Sequence, residues 1–347
     1  MIENLLRPNI RSLKPYSSAR DEFEGEGSVW LDANENPEAP PGLMPGINRY
    51  PSPLQPDLRN QISRAKGIDS DRIFIGNGSD EAVDLLFRIF CMPGKDKAMV
   101  FPPTYGMYGV CSAVNDVLVI ESLLDEHFSI NLNDFEEKNK AGSPKLTFIC
   151  NPNNPTGNVQ SPEMIRQIIE ESKGIVVVDE AYVDFCPEQS VLPWIDLYPN
   201  LVVLQTLSKA WGLAGARIGM AFSSPEIIQV MNRVKFPYNI GKPSIEAAII
   251  ALTQTPVIRQ RVEEIIEQRG LLSECLSKFP FVEEVFPSSA NFLLVKFPES
   301  DKIYQYLTGK GIIVRDRSTQ PGCAGCLRIT IGSETENQTL INALKNF

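Results

Sequence analysis

The sequence predicts an α/β protein whose larger part is a doubly wound, mostly parallel sheet, and three observations carry that prediction. Apolar runs alternate with stretches of helical period from Ile73 to Phe222, the pattern of successive strand-helix-strand units. Two of those runs, Ile175-Val176-Val177-Val178 and Leu201-Val202-Val203-Leu204, are apolar without alternation, as strands buried on both faces of a parallel sheet must be. Polar or glycine-containing turns follow the runs, so residues able to do chemistry collect at the carboxyl ends of strands, where open α/β sheets place their ligand crevice.

Taken in order, residues 1 to about 25 are polar, interrupted by Pro8 and Pro15, and read as an arm. Tyr16 within it either packs locally or reaches a site. Trp30-Leu31 reads as a short strand running into the polar turn Asp32 to Pro37, and the prolines from Pro37 to Pro56 exclude a continuous helix there. A helix is expected from Asp57 to about Lys66, then a strand at Arg72-Ile73-Phe74-Ile75. The turn Gly76-Asn77-Gly78-Ser79-Asp80-Glu81 opens a helix whose apolar positions are Ala82, Val83, Leu85, Leu86, Ile89 and Phe90. Strands follow at Met99-Phe101, Lys145-Cys150 and Ile175-Val178, with a helix from about Ser161 to Lys173. Beyond Val234 come long amphipathic helices between Pro243 and about Phe279, then strands at Asn291-Val295, Gly311-Arg315 and Leu327-Ile331, which suit a smaller C-terminal α/β domain. The expected division is an arm (1–25), a large domain (26–236) and a small domain (237–347).

Composition narrows the function. The chain has 347 residues, 43% of them hydrophobic, and a net charge of −10, which argues against a general nucleic-acid surface and for small-molecule substrates. No apolar run has the length of a membrane span and Met1 to Phe23 is too charged for a secretory signal, so a cytoplasmic protein is expected. Seven cysteines, an odd number spread through strands and helices, suit reduced thiols. Cys323-Ala324-Gly325-Cys326 lacks a second metal-ligand pair and the single histidine, His127, is distant in sequence, so no metal is expected. His127 lies in the polar run Asp125-Glu126-His127 and reads as a surface turn, which leaves a general base of another type.

Lys209 is the candidate. It follows an apolar strand in the small-residue loop Leu207-Ser208-Lys209-Ala210-Trp211-Gly212-Leu213-Ala214-Gly215-Ala216-Arg217. A lysine amine that is desolvated or set beside other cations becomes a nucleophile toward carbonyls, including that of pyridoxal phosphate (PLP). The plain alternative is a solvated lysine on a connection. Asp179, at the end of a buried strand, is costly to desolvate unless it meets a cation or hydrogen-bond donors. Gly78, Ser79 and Asp80 form either an anion site at a helix start or a helix cap. Tyr105, in Pro102-Pro103-Thr104-Tyr105, either lies over a planar ligand or belongs to the core.

Gly78, Tyr105, Asn154, Asp179 and Lys209 all fall at strand ends, and the chemistry that suits the set is that of PLP. Lys209 would bind the cofactor covalently through its amine and later move a proton between the substrate Cα and the cofactor C4′. Asp179 would face the pyridine nitrogen, Tyr182 and Asn154 would donate to the phenolic oxygen, and Tyr105 would stack on the ring. The amides of Gly78, Ser79 and Asp80, with Ser208 and Arg217, would bind the phosphate.

The segments Gly-Asn-Gly-Ser-Asp-Glu (76–81), Pro-Pro-Thr-Tyr-Gly-Met-Tyr (102–108), Asn-Pro-Asn-Asn-Pro-Thr-Gly (151–157), Val-Asp-Glu-Ala-Tyr (178–182), Ser-Lys-Ala-Trp-Gly-Leu-Ala-Gly-Ala-Arg (208–217) and Cys-Leu-Arg-Ile-Thr-Ile-Gly (326–332) resemble, in content and order, those of the fold-type I PLP-dependent aminotransferases, and within them the histidinol-phosphate aminotransferase family. The resemblance spans nearly the whole chain. It implies a fold-type I PLP-transferase and a homodimer with active sites at the subunit interface. It also implies transfer of an amino group from L-histidinol phosphate to 2-oxoglutarate, a step in histidine synthesis. By the same resemblance Tyr50, in Arg49-Tyr50-Pro51, reaches the partner's cofactor phosphate. Tyr16, Arg315 and Arg328 hold the substrate phosphate, Arg328 also holds a carboxylate of glutamate, and Asn291 matches a segment near the substrate. The family has a further arginine in some members where Glu334 to Thr339 carries none here. Related chains that act as aromatic amino acid aminotransferases, or as PLP-dependent decarboxylases of a phosphorylated amino acid such as threonine phosphate, are the alternatives.

Overall fold

A computed structural model describes residues 2–16 and 28–347. Seven strands form the large sheet: β1 (Ile73–Asn77), β2 (Lys97–Val100), β3 (Leu118–Glu121), β4 (Leu146–Cys150), β5 (Ile175–Asp179), β6 (Leu201–Thr206) and β7 (Ile218–Phe222), in the spatial order β1-β7-β6-β5-β4-β2-β3. Strands β2 to β6 pair in parallel, and β7 runs antiparallel to both β6 and β1. The reversal has a local cause. Parallel neighbours need a crossover of a dozen or more residues, usually helical, whereas the loop from Leu207 to Arg217 holds one short 3-10 turn at Ala214–Ala216 and no α-helix. The chain therefore comes straight back along β6, and the lysine loop is the hairpin connection.

Helices cover both faces. Val176 and Val178 of β5 and Leu201 and Val203 of β6 enter the core shared with the helices Pro56–Lys66 and Pro162–Glu171. Ile175, Val177, Val202 and Leu204 enter the opposite core, shared with the helices Ser79–Phe90 and Pro225–Val234. All eight side chains are fully buried, each worth roughly 1.5–3 kcal/mol relative to exposure, so the unalternating apolar runs and the two-sided sheet have one cause.

The second sheet has four strands, β8 (Glu284–Val285), β9 (Phe292–Lys296), β10 (Arg315–Asp316) and β11 (Cys326–Thr330), ordered β10-β11-β9-β8 and antiparallel throughout. Leu293, Val295, Leu327 and Ile329 point to the helices Ser300–Gly309 and Glu334–Lys345 in a separate core. Ile240, Ala248, Leu252, Ile258 and Val262 lie in the core of the large sheet, and the small sheet's core takes up the chain from Leu272. The 22-residue helix Thr255–Leu276 thus contributes to both. Among the described residues no helix is long and apolar enough to cross a membrane.

Two expected strands differ. Trp30-Leu31 is not a strand; the Trp30 carbonyl accepts from Arg49 Nη1 at 3.4 Å, so a side chain takes the place of a sheet partner. The expected strand Gly311–Arg315 reduces to Arg315–Asp316, because the Gly311 and Ile312 amides donate back to Thr308 and Leu307, each at 2.9 Å, and finish the preceding helix.

Candidate active site

The lysine loop is tied at both ends. Leu207 N–H donates to the Ile218 carbonyl and Leu213 N–H to the Leu207 carbonyl, each at 3.0 Å, while Thr206 Oγ1 donates to the Ile218 carbonyl and accepts from Ser208 N–H (3.1 Å). Arg217 closes the loop in the left-handed region (φ 56°), unusual for a residue with a Cβ, and its carbonyl accepts from Gly78 N–H at 2.8 Å. The loop is thereby joined to the start of the helix Ser79–Phe90. Lys209 Nζ lies 5.7 Å from the centre of the Tyr182 ring. The residue is exposed, and the partial burial of its amine, with the nearby charge of Arg328, lowers the Lys209 pKa against the opposing pull of Asp179.

Asp179 ends β5 and is 2% exposed. Its Oδ2 accepts from the Tyr108 hydroxyl at 2.8 Å and its Oδ1 from Ala181 N–H at 3.1 Å. Burial pushes its pKa up to about 6 although both donors favour the charged form. A carboxylate held in this way has strong affinity for a cation placed at the open side of the cleft.

The helix Ser79–Phe90 begins after Gly78 (φ 76°) with no side-chain cap. Neither Ser79 nor Asp80 caps it, because Asp80 turns outward to accept from Tyr105 Oη (3.0 Å) and pairs with Arg217 Nη2 (3.4 Å). A Cβ on Gly78 would overlap the Arg217 guanidinium, and one on Gly219 of β7 would overlap the Gly78–Ser79 backbone. Two glycines thus bring strand, arginine and helix start together. An uncapped helix end beside an arginine and two serine hydroxyls is a built place for a small dianion. With Asp179 across the cleft for a ring nitrogen and Lys209 for an aldehyde, the residues suit PLP.

Ser79, Asp80, Tyr105, Asn154, Asp179, Tyr182, Ser208, Lys209 and Arg217 line one cleft, with Cys150, Ala181 and Thr206 completing it. Asn154 Nδ2 donates to Tyr182 Oη (3.4 Å), and Arg328 Nη1 donates to Asn154 Oδ1 (2.5 Å). Arg328 also sits over the Phe292 ring, 5.2 Å from its centre. Six expected residues stand outside the lining: Gly78 and Arg328, which touch lining residues, and Tyr16, Tyr50, Arg315 and Asn291. Tyr16 is 70% exposed, and Tyr50 is 49% exposed and stacks on Tyr238 at 4.4 Å. Arg315 is exposed, and the Asn291 carbonyl accepts from Ile331 N–H (2.9 Å), joining the two segments of the small sheet. His127 lies exposed in its turn, 3.6 Å from Glu126, and no described group of His, Cys, Asp or Glu residues could hold a metal.

Sequence reasoning missed Tyr108 and Gly219. Tyr108 carried a signal, being one helical turn from Tyr105, and the two rings meet edge to face at 5.5 Å. Glu180, beside Asp179 but facing away, accepts from Val191 N–H (2.6 Å), Ser190 Oγ (2.8 Å) and Gln205 Nε2 (2.8 Å). Burial raises its pKa from 4.5 to about 7. Between those values the folded state keeps a proton that the unfolded state releases, so stability is fully present below pH 4.5 and is lost as pH rises to about 7. The loss amounts to about 3 kcal/mol. In Glu180→Gln, urea midpoints at pH 5 and pH 8 should move closer together; the remaining slope belongs to Asp179, raised over an overlapping window.

The family described as aminotransferase class I and II matches residues 27–344. The chain belongs to the aminotransferase class I and II family. Within this aminotransferase family it is 49% identical over 345 residues to the histidinol-phosphate aminotransferase of Parabacteroides distasonis, covering 99% of this chain and 98% of that one. The crystal structure of the histidinol-phosphate aminotransferase from Clostridium acetobutylicum superposes with a TM-score of 0.80 at 27% identity, over 87% of this chain and 91% of that one. The L-threonine-O-3-phosphate decarboxylase from Porphyromonas gingivalis superposes with a TM-score of 0.74 at 23% identity, over 87% and 91% of the two chains, a likeness of fold alone.

Proposed function

We propose that this aminotransferase moves the amino group of L-histidinol phosphate to 2-oxoglutarate, giving imidazole-acetol phosphate and L-glutamate in histidine biosynthesis, with PLP as cofactor. The observation that carries the reading is the convergence of Lys209 and Asp179 on one cleft beside an uncapped helix start, with Arg328 bonded to Asn154 in the cleft wall. The near-full-length 49% identity to a histidinol-phosphate aminotransferase supports the substrate.

Bound PLP supplies an electron sink for the negative charge that develops at the substrate Cα. Ser79, Ser208, Arg217 and the first-turn amides would hold its phosphate, Asp179 would keep its ring nitrogen protonated, Tyr182 and Asn154 would donate to its phenolic oxygen, and Tyr105 would cover the ring. Lys209 would hold the cofactor through its amine at rest. Once freed, that amine would be the base that holds and moves the substrate Cα proton. The desolvation and cationic neighbours that lower its pKa increase the fraction of free base at neutral pH. Arg328, with Arg315 and Tyr16, binds the substrate phosphate, and Arg328 binds a carboxylate of glutamate in the return half-reaction; a guanidinium serves both through paired hydrogen bonds. Asn291 lies at the edge of that subsite. We take the small domain, residues 237–347, to carry the contacts of Asn291, Arg315 and Arg328, and the N-terminal arm that of Tyr16.

The working unit in this reading is a homodimer in the cytoplasm. Val29, Leu31, Leu43, Tyr50 and Leu54 are all exposed within one short segment, apolar surface suited to a second copy, and Tyr50 would reach the partner's cofactor phosphate from there.

The test is an absorbance titration of the holoenzyme. Histidinol phosphate alone should abolish the visible band of the bound cofactor, and 2-oxoglutarate should restore it with one glutamate formed per site. A band indifferent to histidinol phosphate refutes the substrate, and carbon dioxide release without glutamate assigns decarboxylation instead.

A further inference from the structure

Strands β10 and β11 pair with Arg315 opposite Arg328 and Asp316 opposite Leu327, and Arg317 N–H donates to the Cys326 carbonyl at 3.0 Å, extending the ladder by a residue. Directly opposed residues share a face, and residues two apart on one strand do also. Arg315, Arg317 and Arg328 therefore stand on one face of this ribbon. Leu327 and Ile329 occupy the other face and fill the small core, so the arginine face is turned to the cleft, where Arg328 meets Asn154.

Three guanidiniums are thus set together without a counter-ion. Among the described residues no carboxylate pairs with any of them at ion-pair distance; Asp316, between the first two, is engaged by Ser318 N–H (2.8 Å) and Ser318 Oγ (2.5 Å). The Nε atoms of both Arg317 and Arg328 are buried with no hydrogen-bond partner, a cost that a ligand oxygen would remove. Burial and the like charges of Arg328 and Arg315 lower the Arg317 pKa, the sign of a cation awaiting an anion. Two arginines already suffice for a carboxylate, which carries a single charge. A third is matched to a dianion.

We propose that Arg317 is a third arginine of the substrate-anion subsite and gives that subsite its preference for a phosphate monoester over a carboxylate. The inference rests on the reading of histidinol phosphate as the amino donor and adds a specificity-determining residue to it.

The experiment compares wild-type holoenzyme with Arg317→Gln and Arg317→Lys. Each half-reaction is followed separately, with histidinol phosphate or glutamate as the sole donor, and inorganic phosphate is titrated as a competitor of glutamate. Losing a charge-assisted pair should raise the KM for histidinol phosphate about ten-fold in Arg317→Gln and weaken phosphate inhibition by a similar factor. The KM for glutamate should stay within about two-fold, and Arg317→Lys should recover part of the loss by restoring charge without the fork. Equal loss with both donors would reduce Arg317 to a support of the cleft, and unchanged phosphate inhibition would remove it from the subsite. If wild-type enzyme ignores histidinol phosphate, the donor assignment fails instead, which the wild-type titration alone reveals.

Discussion

Replacing Lys209 by alanine should lower turnover by up to about 10^4-fold while leaving PLP bound noncovalently. The expectation follows from how few groups in the cleft can move a proton. His127 is the chain's only histidine and lies on an exposed turn. Asp179 is committed to Tyr108 and Ala181, Asp80 to Tyr105 and Arg217, and burial raises the Tyr105 and Tyr182 hydroxyls well above their ordinary range, so neither is a base near neutrality. The groups proposed to hold the phosphate are untouched by the substitution, so retention of cofactor separates loss of chemistry from loss of fold. Single-turnover absorbance with histidinol phosphate gives the rate, and the shifted spectrum of the unlinked cofactor reports binding. Lys209→Arg keeps a positive charge that cannot act as a base at neutral pH, and should be equally inactive. Near-normal turnover in either variant would remove the lysine from its role.

Much of this arrangement is legible in the sequence. The unalternating runs at Ile175–Val178 and Leu201–Leu204 announced strands buried on both faces, and the sheet class followed, because only helices on both sides can bury such strands. The residues following each run then had to gather at one edge, as Asn154, Asp179 and Lys209 do. What was not legible depended on register and direction. The reversal of β7 turns on the Leu207–Arg217 loop lacking a helix, and the hydrogen bond of Tyr108 to Asp179 joins residues on different elements, 71 positions apart. Arg317 shares a face with Arg328 only once the pairing of β10 with β11 is known. Trp30-Leu31 has the composition of a strand but pairs with neither sheet. Tyr50 stands for a different limit, since the role expected of it requires a second chain.

Asp179 sets the second large effect. In Asp179→Ala the proposed ring nitrogen would lose the one buried anion facing it, and breaking a buried charge pair by removing one partner costs about 3–5 kcal/mol, a loss of over ~10^2-fold in the rate of proton removal from Cα. Asp179→Asn should fall nearly as far, because its amide keeps the volume but cannot hold a proton on the ring, and the Tyr108 hydroxyl donates to a neutral oxygen in place of a charged one. Acidity supplies an independent readout. Burial raises Asp179 to about 6 in the protein alone, so below that pH a proton competes with the cofactor's ring cation for the carboxylate. Cofactor affinity should therefore weaken by up to about ten-fold per pH unit below 6 in the wild type, and this contribution should vanish in Asp179→Asn. Cofactor dissociation constants measured from pH 5 to pH 8 in both proteins test it. The cofactor's own phosphate titrates in both, so the difference between the curves isolates the carboxylate, and parallel curves would mean that Asp179 faces no cation.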